Sequence, residues 1–140
     1  MWPWLFAWWP FVGLLLPTTG RVYYYEPGVF AHVARVRGMD LAWGQVDGFA
    51  STPYCRLVDA RRPWVVTARI DGGPVERFQI VDCSAPRDRA HHQAEGLVLE
   101  VDYTTALRHL GKGRTRLRLD GKAPVTILGY GRRAGISPAR

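Results

Sequence analysis

Hydrophobic and polar positions alternate most clearly between Trp64 and Leu119. Trp64-Val-Val-Thr-Ala-Arg-Ile70 is rich in β-branched residues and predicts a strand. Asp71-Gly-Gly-Pro74 predicts a tight reversal, with two glycines to supply positive φ. In Val75-Glu-Arg-Phe-Gln-Ile-Val-Asp82 a period of two puts Phe78, Ile80 and Asp82 on one face, and Arg77 and Gln79 on the other. A carboxylate is therefore expected in line with the buried face, at the mouth of a strand. Ser84 to Glu95 reads as a polar loop. Gly96-Leu-Val-Leu-Glu-Val101 is a second apolar run, followed by a helix candidate from Tyr103 to Leu110 with Asp102 placed to cap it. Arg114-Thr-Arg-Leu-Arg-Leu119 predicts a further strand with three arginines on one face, and Ala123-Pro-Val-Thr-Ile-Leu-Gly129 a closing strand.

Upstream the pattern is less decisive. Phe30, Val33 and Val36 fit a helical face between Gly28 and Arg37, while the β-branched content also permits a strand. Asp40 to Phe49 holds Leu41, Trp43 and Val46, punctuated by Gly44 and Gly48. Ala50 to Arg62 reads as loop, because Ser51-Thr-Pro53 and Arg61-Arg-Pro63 break regular structure. Residues 1–20 carry no charged side chain and include four tryptophans, which suits an export signal or an uncleaved membrane anchor. Residues 21–27 read as a linker and 131–140 as a basic tail.

Composition narrows the classes. At 140 residues there is room for one domain, and a 47% hydrophobic fraction suits a globular core rather than a disordered chain. The formal net charge of +7 favours anionic partners without choosing among them. Two cysteines, Cys55 and Cys83, form a disulfide if the domain is exported, and stay as two free thiols in a reducing compartment. A metal site is the weakest reading, since no C-x-x-C pair exists, and nothing in the pattern calls for a cofactor.

The order of these elements carries a resemblance. A hairpin, a strand ending in Ile80-Val-Asp82, then Val101-Asp-Tyr-Thr-Thr-Ala-Leu-Arg-His-Leu-Gly111 and a final β-run is similar to the rare lipoprotein A family and, more distantly, to expansins. The resemblance covers Trp64 to Leu119, with Gly28 to Phe49 standing for the first strands. Cys83-Ser-Ala-Pro86 replaces the family's "R-G-P". It implies a mainly β fold: a six-stranded double-psi β-barrel over residues 28–130, with one or two short helices, behind the N-terminal hydrophobic segment.

The resemblance also implies a chemistry. It points to an extracytoplasmic barrel, secreted or anchored through its N-terminal segment, that binds cell-wall glycan; the remaining alternative, a basic nucleic-acid-binding barrel, is disfavoured because an uncharged tryptophan-rich N-terminus has no use in such a protein, so no nucleic-acid partner is expected. In that family the aspartate at the Asp82 position is the general acid on a glycosidic bond, which requires a carboxyl group of raised pKa in a groove. Asp102 is the candidate second carboxylate, besides its capping role. Trp43, Tyr54, Trp64 and Tyr103 are candidates to stack on sugar rings, and Arg116 to meet wall anions. The histidine that lytic members place before the hairpin has no counterpart between Arg37 and Trp64. An enzyme and a non-catalytic binding module of the same fold therefore both stay open.

Overall fold

A computed structural model describes residues 16–109 and 123–132. Six strands close into one barrel: β1 (Thr19–Tyr24), β2 (Gly48–Thr52), β3 (Trp64–Ile70), β4 (Val75–Cys83), β5 (Leu97–Val101) and β6 (Pro124–Arg132). Around the barrel they run β1-β5-β2-β4-β3-β6. Two neighbouring pairs are parallel, β1 with β5 and β2 with β4, and the rest are antiparallel. Exchanging β1, β2, β3 for β4, β5, β6 leaves this pairing pattern unchanged. The two halves interlock as a double-psi barrel, mainly β, and each half supplies one strand to the other's parallel pair.

Among the described residues three short α-helices join the strands, α1 (Val29–Arg37), α2 (Pro86–Ala94) and α3 (Tyr103–Arg108), with a 3-10 turn at Cys55–Leu57. None is long and apolar enough to cross a membrane. The helical alternative for residues 28–37 holds. Gly38, at φ 66, ends α1, and the Met39 N–H reaches back to the Ala34 carbonyl at 2.8 Å, so the last turn is closed without a side-chain cap. The first strand lies earlier than expected, in the stretch taken as the end of the hydrophobic segment and the linker. Only Val22 of β1 is fully enclosed, so its alternation is faint.

Two further readings are corrected. Ala50–Thr52 is strand, not loop. All five residues of β2 are buried, because it sits between β4 and β5 with packing on both faces, and a strand buried on both faces shows no alternation. Residues 86–94 are helix rather than loop. Pro86 stands in the first turn of α2, where a missing N–H costs nothing. The predicted strand over Arg114–Leu119, and Arg116 with it, lies outside the described residues, as do residues 1–15 and 133–140.

The core divides in two. Inside the barrel, Val22, Ala50, Val66, Ile70, Phe78, Ile80 and Val101 pack together. Outside it, α1 lays Phe30 and Ala34 over Phe49 and Val81. Gln79 was expected on a solvent face and is instead fully enclosed under the segment after α1. Its amide donates to the Asp40 carbonyl at 2.7 Å and accepts from the Ala42 N–H at 2.8 Å. The β3–β4 reversal is as tight as predicted, but Asp71 and Gly72, at φ 52 and 70, take the left-handed positions, not the two glycines.

Candidate functional site

Two cavities flank α1; one takes Trp43, Asp102 and Tyr103 of the predicted site residues, the other Asp82. The first, of about 220 Å³, opens beside the start of α1 and is lined by Phe30, Leu41, Trp43, Phe49 and Tyr103. Glu26, Asp47 and Asp102 give it acidic oxygens. Trp43 is 72% exposed and meets Phe49 edge-on at 4.7 Å between ring centroids. Tyr103 leans on Tyr24 at 5.8 Å. An exposed indole over an apolar hollow leaves a flat aromatic surface open for stacking.

Asp102 borders this cavity with its carboxylate already committed. Its Oδ2 accepts the Thr105 N–H at 3.1 Å and so caps α3; its Oδ1 accepts the Phe49 N–H at 2.9 Å and the Thr105 hydroxyl at 2.7 Å. The approach to β2 is so close that a Cβ on Gly48 would lie 2.4 Å from Oδ1 and 2.3 Å from the Thr105 hydroxyl. The capping role read from the sequence is present, and it ties α3 to β2.

The second cavity, of about 500 Å³, opens beside the end of α1 and is polar. Asp82 lies here, so the two aspartates line no common cleft, contrary to the expectation that they face one groove. Asp82 does not share a face with Phe78 and Ile80 either. Ala50 pairs with Ile80, but the next residue, Ser51, pairs with Asp82; Val81 is the extra residue of a bulge. That one-residue slip turns Asp82 to the outside of the barrel. There the Arg37 guanidinium donates to its Oδ1 at 2.7 Å, and its side chain remains 17% exposed.

The slip also brings Asp82 level with a carboxylate that the sequence reading passed over. Ser51 pairs with Asp82 on one side and with Glu100 on the other, so Asp82, Ser51 and Glu100 form one row across β4, β2 and β5. The Glu100 side chain is 13% exposed, and its nearest basic neighbour among the described residues, His92 Nδ1, stands 3.8 Å away. Burial, and then the negative charges of Asp82 and Asp88, push the Glu100 carboxyl up to about 7. Tyr25 joins the same group: burial pushes its phenol up to about 12, Ser51 opposes that shift, and Glu100 and Asp82 add to it. Ser51 is fully enclosed; its hydroxyl makes no hydrogen bond of ordinary geometry, although it lies against that phenol. Ser84 and His92 share a hydrogen bond of 2.7 Å between Oγ and Nδ1. A signal for Glu100 was present, since it is the one charged residue in the apolar run Leu97–Val101.

The remaining candidates stand elsewhere. Trp64 packs on the barrel core, and the Arg132 guanidinium lies over its ring at 4.5 Å, so that face is covered. Tyr54 packs on the same core beside a shallow hollow with Arg56 and joins neither cavity group. Cys55 and Cys83 are joined as a disulfide, which ties the 3-10 turn to the end of β4, next to Asp82. Among the described residues no cluster of three or more His, Cys, Asp and Glu side chains could hold a metal ion. Comparison with family models, with curated proteins and with solved structures finds no match.

Proposed function

We propose that this chain is an extracytoplasmic barrel that binds cell-wall glycan of the peptidoglycan class, held at the membrane by its N-terminal segment. The observation that carries this reading is the exposed Trp43 indole beside Tyr103, over an apolar hollow edged by Glu26 and Asp47. A sugar ring offers an apolar face for stacking and hydroxyl donors at its rim, and an aromatic floor with carboxylate acceptors matches both. The Cys55–Cys83 bond supports an oxidising compartment over the cytosol, and with it an envelope partner over nucleic acid.

The test uses the full chain in detergent micelles, mixed with purified peptidoglycan and centrifuged. Co-sedimentation is expected, with a marked loss for Trp43→Ala. Absence of co-sedimentation, or retention unchanged in that variant, contradicts the reading. Binding without cleavage is the second reading, and one observation favours it: the Asp102 carboxylate accepts three hydrogen bonds, from the Phe49 N–H and from the N–H and hydroxyl of Thr105, which commit it to capping the helix.

A further inference from the structure

We propose that the end of the barrel where β1 begins and β6 ends is a membrane-contact face, on which arginines bind the headgroups of anionic phospholipids. This rests on the anchored reading above and adds a second hold, made by the folded barrel itself. Three observations lead here. The first is where the N-terminal segment meets the fold. Its apolar run ends at Leu16, and Leu16 already packs on the barrel core. The next two residues are tied down as well: the Tyr130 hydroxyl donates to the Pro17 carbonyl at 2.7 Å, and the Ile127 N–H donates to the Thr18 carbonyl at 2.7 Å. No spacer separates the apolar run from the barrel, and each spacer residue adds at most about 3.5 Å of stand-off. With that run in a bilayer, Tyr130 and its neighbours lie at headgroup level.

The second observation is the charge around this exit. Arg132 ends β6 and pairs with Trp64 at the start of β3. Its guanidinium lies over the Trp64 ring, donates to the Arg62 carbonyl at 2.9 Å and meets the Asp59 carboxylate. Asp59 accepts the Arg61 and Arg62 N–H groups at 3.1 and 3.2 Å, which fixes the loop before β3, and both arginines are exposed. Arg56 belongs to the same neighbourhood, since its charge acts on the Tyr130 phenol. Against these four arginines the contacts include one carboxylate, Asp59, which Arg132 occupies. In sequence, Arg133 and Arg140 follow β6 directly. The third observation is the pair Tyr54 and Tyr130, each packed on the core with part of its surface open. Tyrosine with an apolar body and a polar end is a residue type that belts a membrane interface.

The chemistry selects the partner. A guanidinium binds phosphate oxygens in paired hydrogen bonds and stays charged at physiological pH. Zwitterionic and anionic lipids both offer those oxygens, but only the anionic lipid leaves its charge uncompensated. Each arginine near such a surface gains about fivefold in binding. The uncharged, tryptophan-rich run beside the arginines favours a bilayer over a soluble polyanion, which has nothing to offer it.

The test reconstitutes the full chain from detergent and floats it with vesicles of phosphatidylcholine alone, or of phosphatidylcholine mixed with phosphatidylglycerol, at low and high salt. Tighter binding to the mixed vesicles is expected, shrinking at high salt. Arg61→Gln combined with Arg62→Gln is expected to remove about 25-fold of that preference. The contacts given above for these two residues are backbone ones, so the variant keeps the loop. Where the anchor alone holds all of the chain on both vesicles, amide hydrogen exchange over residues 60–64 and 129–132 decides, with slower exchange expected on the mixed ones. Equal binding and equal exchange on the two vesicles, or a preference unchanged in the double variant, overturns the contact face and leaves the anchor standing. Duplex DNA bound as tightly as the mixed vesicles, with the same arginine dependence, also overturns it and makes the face a general polyanion surface. Flotation with the mixed vesicles alone upholds the face and removes the anchor. Flotation with neither removes both.

Discussion

The two cavities at the ends of α1 are built alike and used differently. Each is bordered by a carboxylate near the end of β5, and each of these residues adjoins β2: Asp102 accepts the Phe49 N–H, and Glu100 pairs with Ser51. At the apolar cavity Asp102 spends both oxygens on backbone and hydroxyl donors, leaving the exposed Trp43 and Tyr103 as its functional surface. At the polar cavity Glu100 is enclosed without a close donor among the described residues, and its proton affinity rises instead. A buried carboxylate that is supplied with hydrogen bonds becomes structure, and one that is denied them becomes a proton carrier.

The largest way to break this comparison is to open the Cys55–Cys83 bond. Cys83 borders the polar cavity, and loss of the cross-link is expected to cost roughly 3–4 kcal/mol in the chain-entropy view. Urea titrations with and without reductant measure it. An unchanged midpoint would mean that the bond contributes nothing to the fold.

Glu100→Gln comes next and carries a sign. Glu100 keeps its proton to about 7 in the fold against an ordinary 4.5, so between those values the native state holds more protons than the unfolded chain. Stability therefore falls as pH rises through that window, by up to about 3 kcal/mol. The variant is expected to match wild type near pH 4.5 and to exceed it near pH 8, as followed by thermal unfolding at both pH values. Asp102→Ala has the opposite sign: it leaves the Phe49 and Thr105 donors unpaired and uncaps α3, a loss of about 2 kcal/mol. If both variants shift stability the same way at pH 8, the two carboxylates are not different in kind. Smallest of all is Trp43→Ala, whose exposed ring predicts a stability change within about 0.5 kcal/mol. A large loss of stability would recast Trp43 as core.

Much of the barrel is legible in the sequence, because β3, β4 and β6 alternate or are β-branched and the Asp71-Gly-Gly-Pro74 turn joins two of them. Asp102 as a helix cap is equally plain, since it directly precedes α3. What escaped has physical causes. β2 is buried on both faces and shows no period, while β1 buries a single residue. α2 buries none of its residues, so its polar face reads as loop. The site escaped for a narrower reason. One bulge at Val81 turns Asp82 outward, and only strand register places it in a row with Ser51 and Glu100. Pattern reading assumes unbroken alternation, and a bulge is where that assumption fails.

The most direct measurement is an NMR titration of the Glu100 side-chain carboxyl in the folded protein, repeated in Asp82→Asn. An apparent pKa of about 7 is expected, moving down toward the ordinary value when the neighbouring charge is removed, because Asp82 acts after burial itself in raising it. A Glu100 that titrates near 4.5 in both proteins would contradict the account.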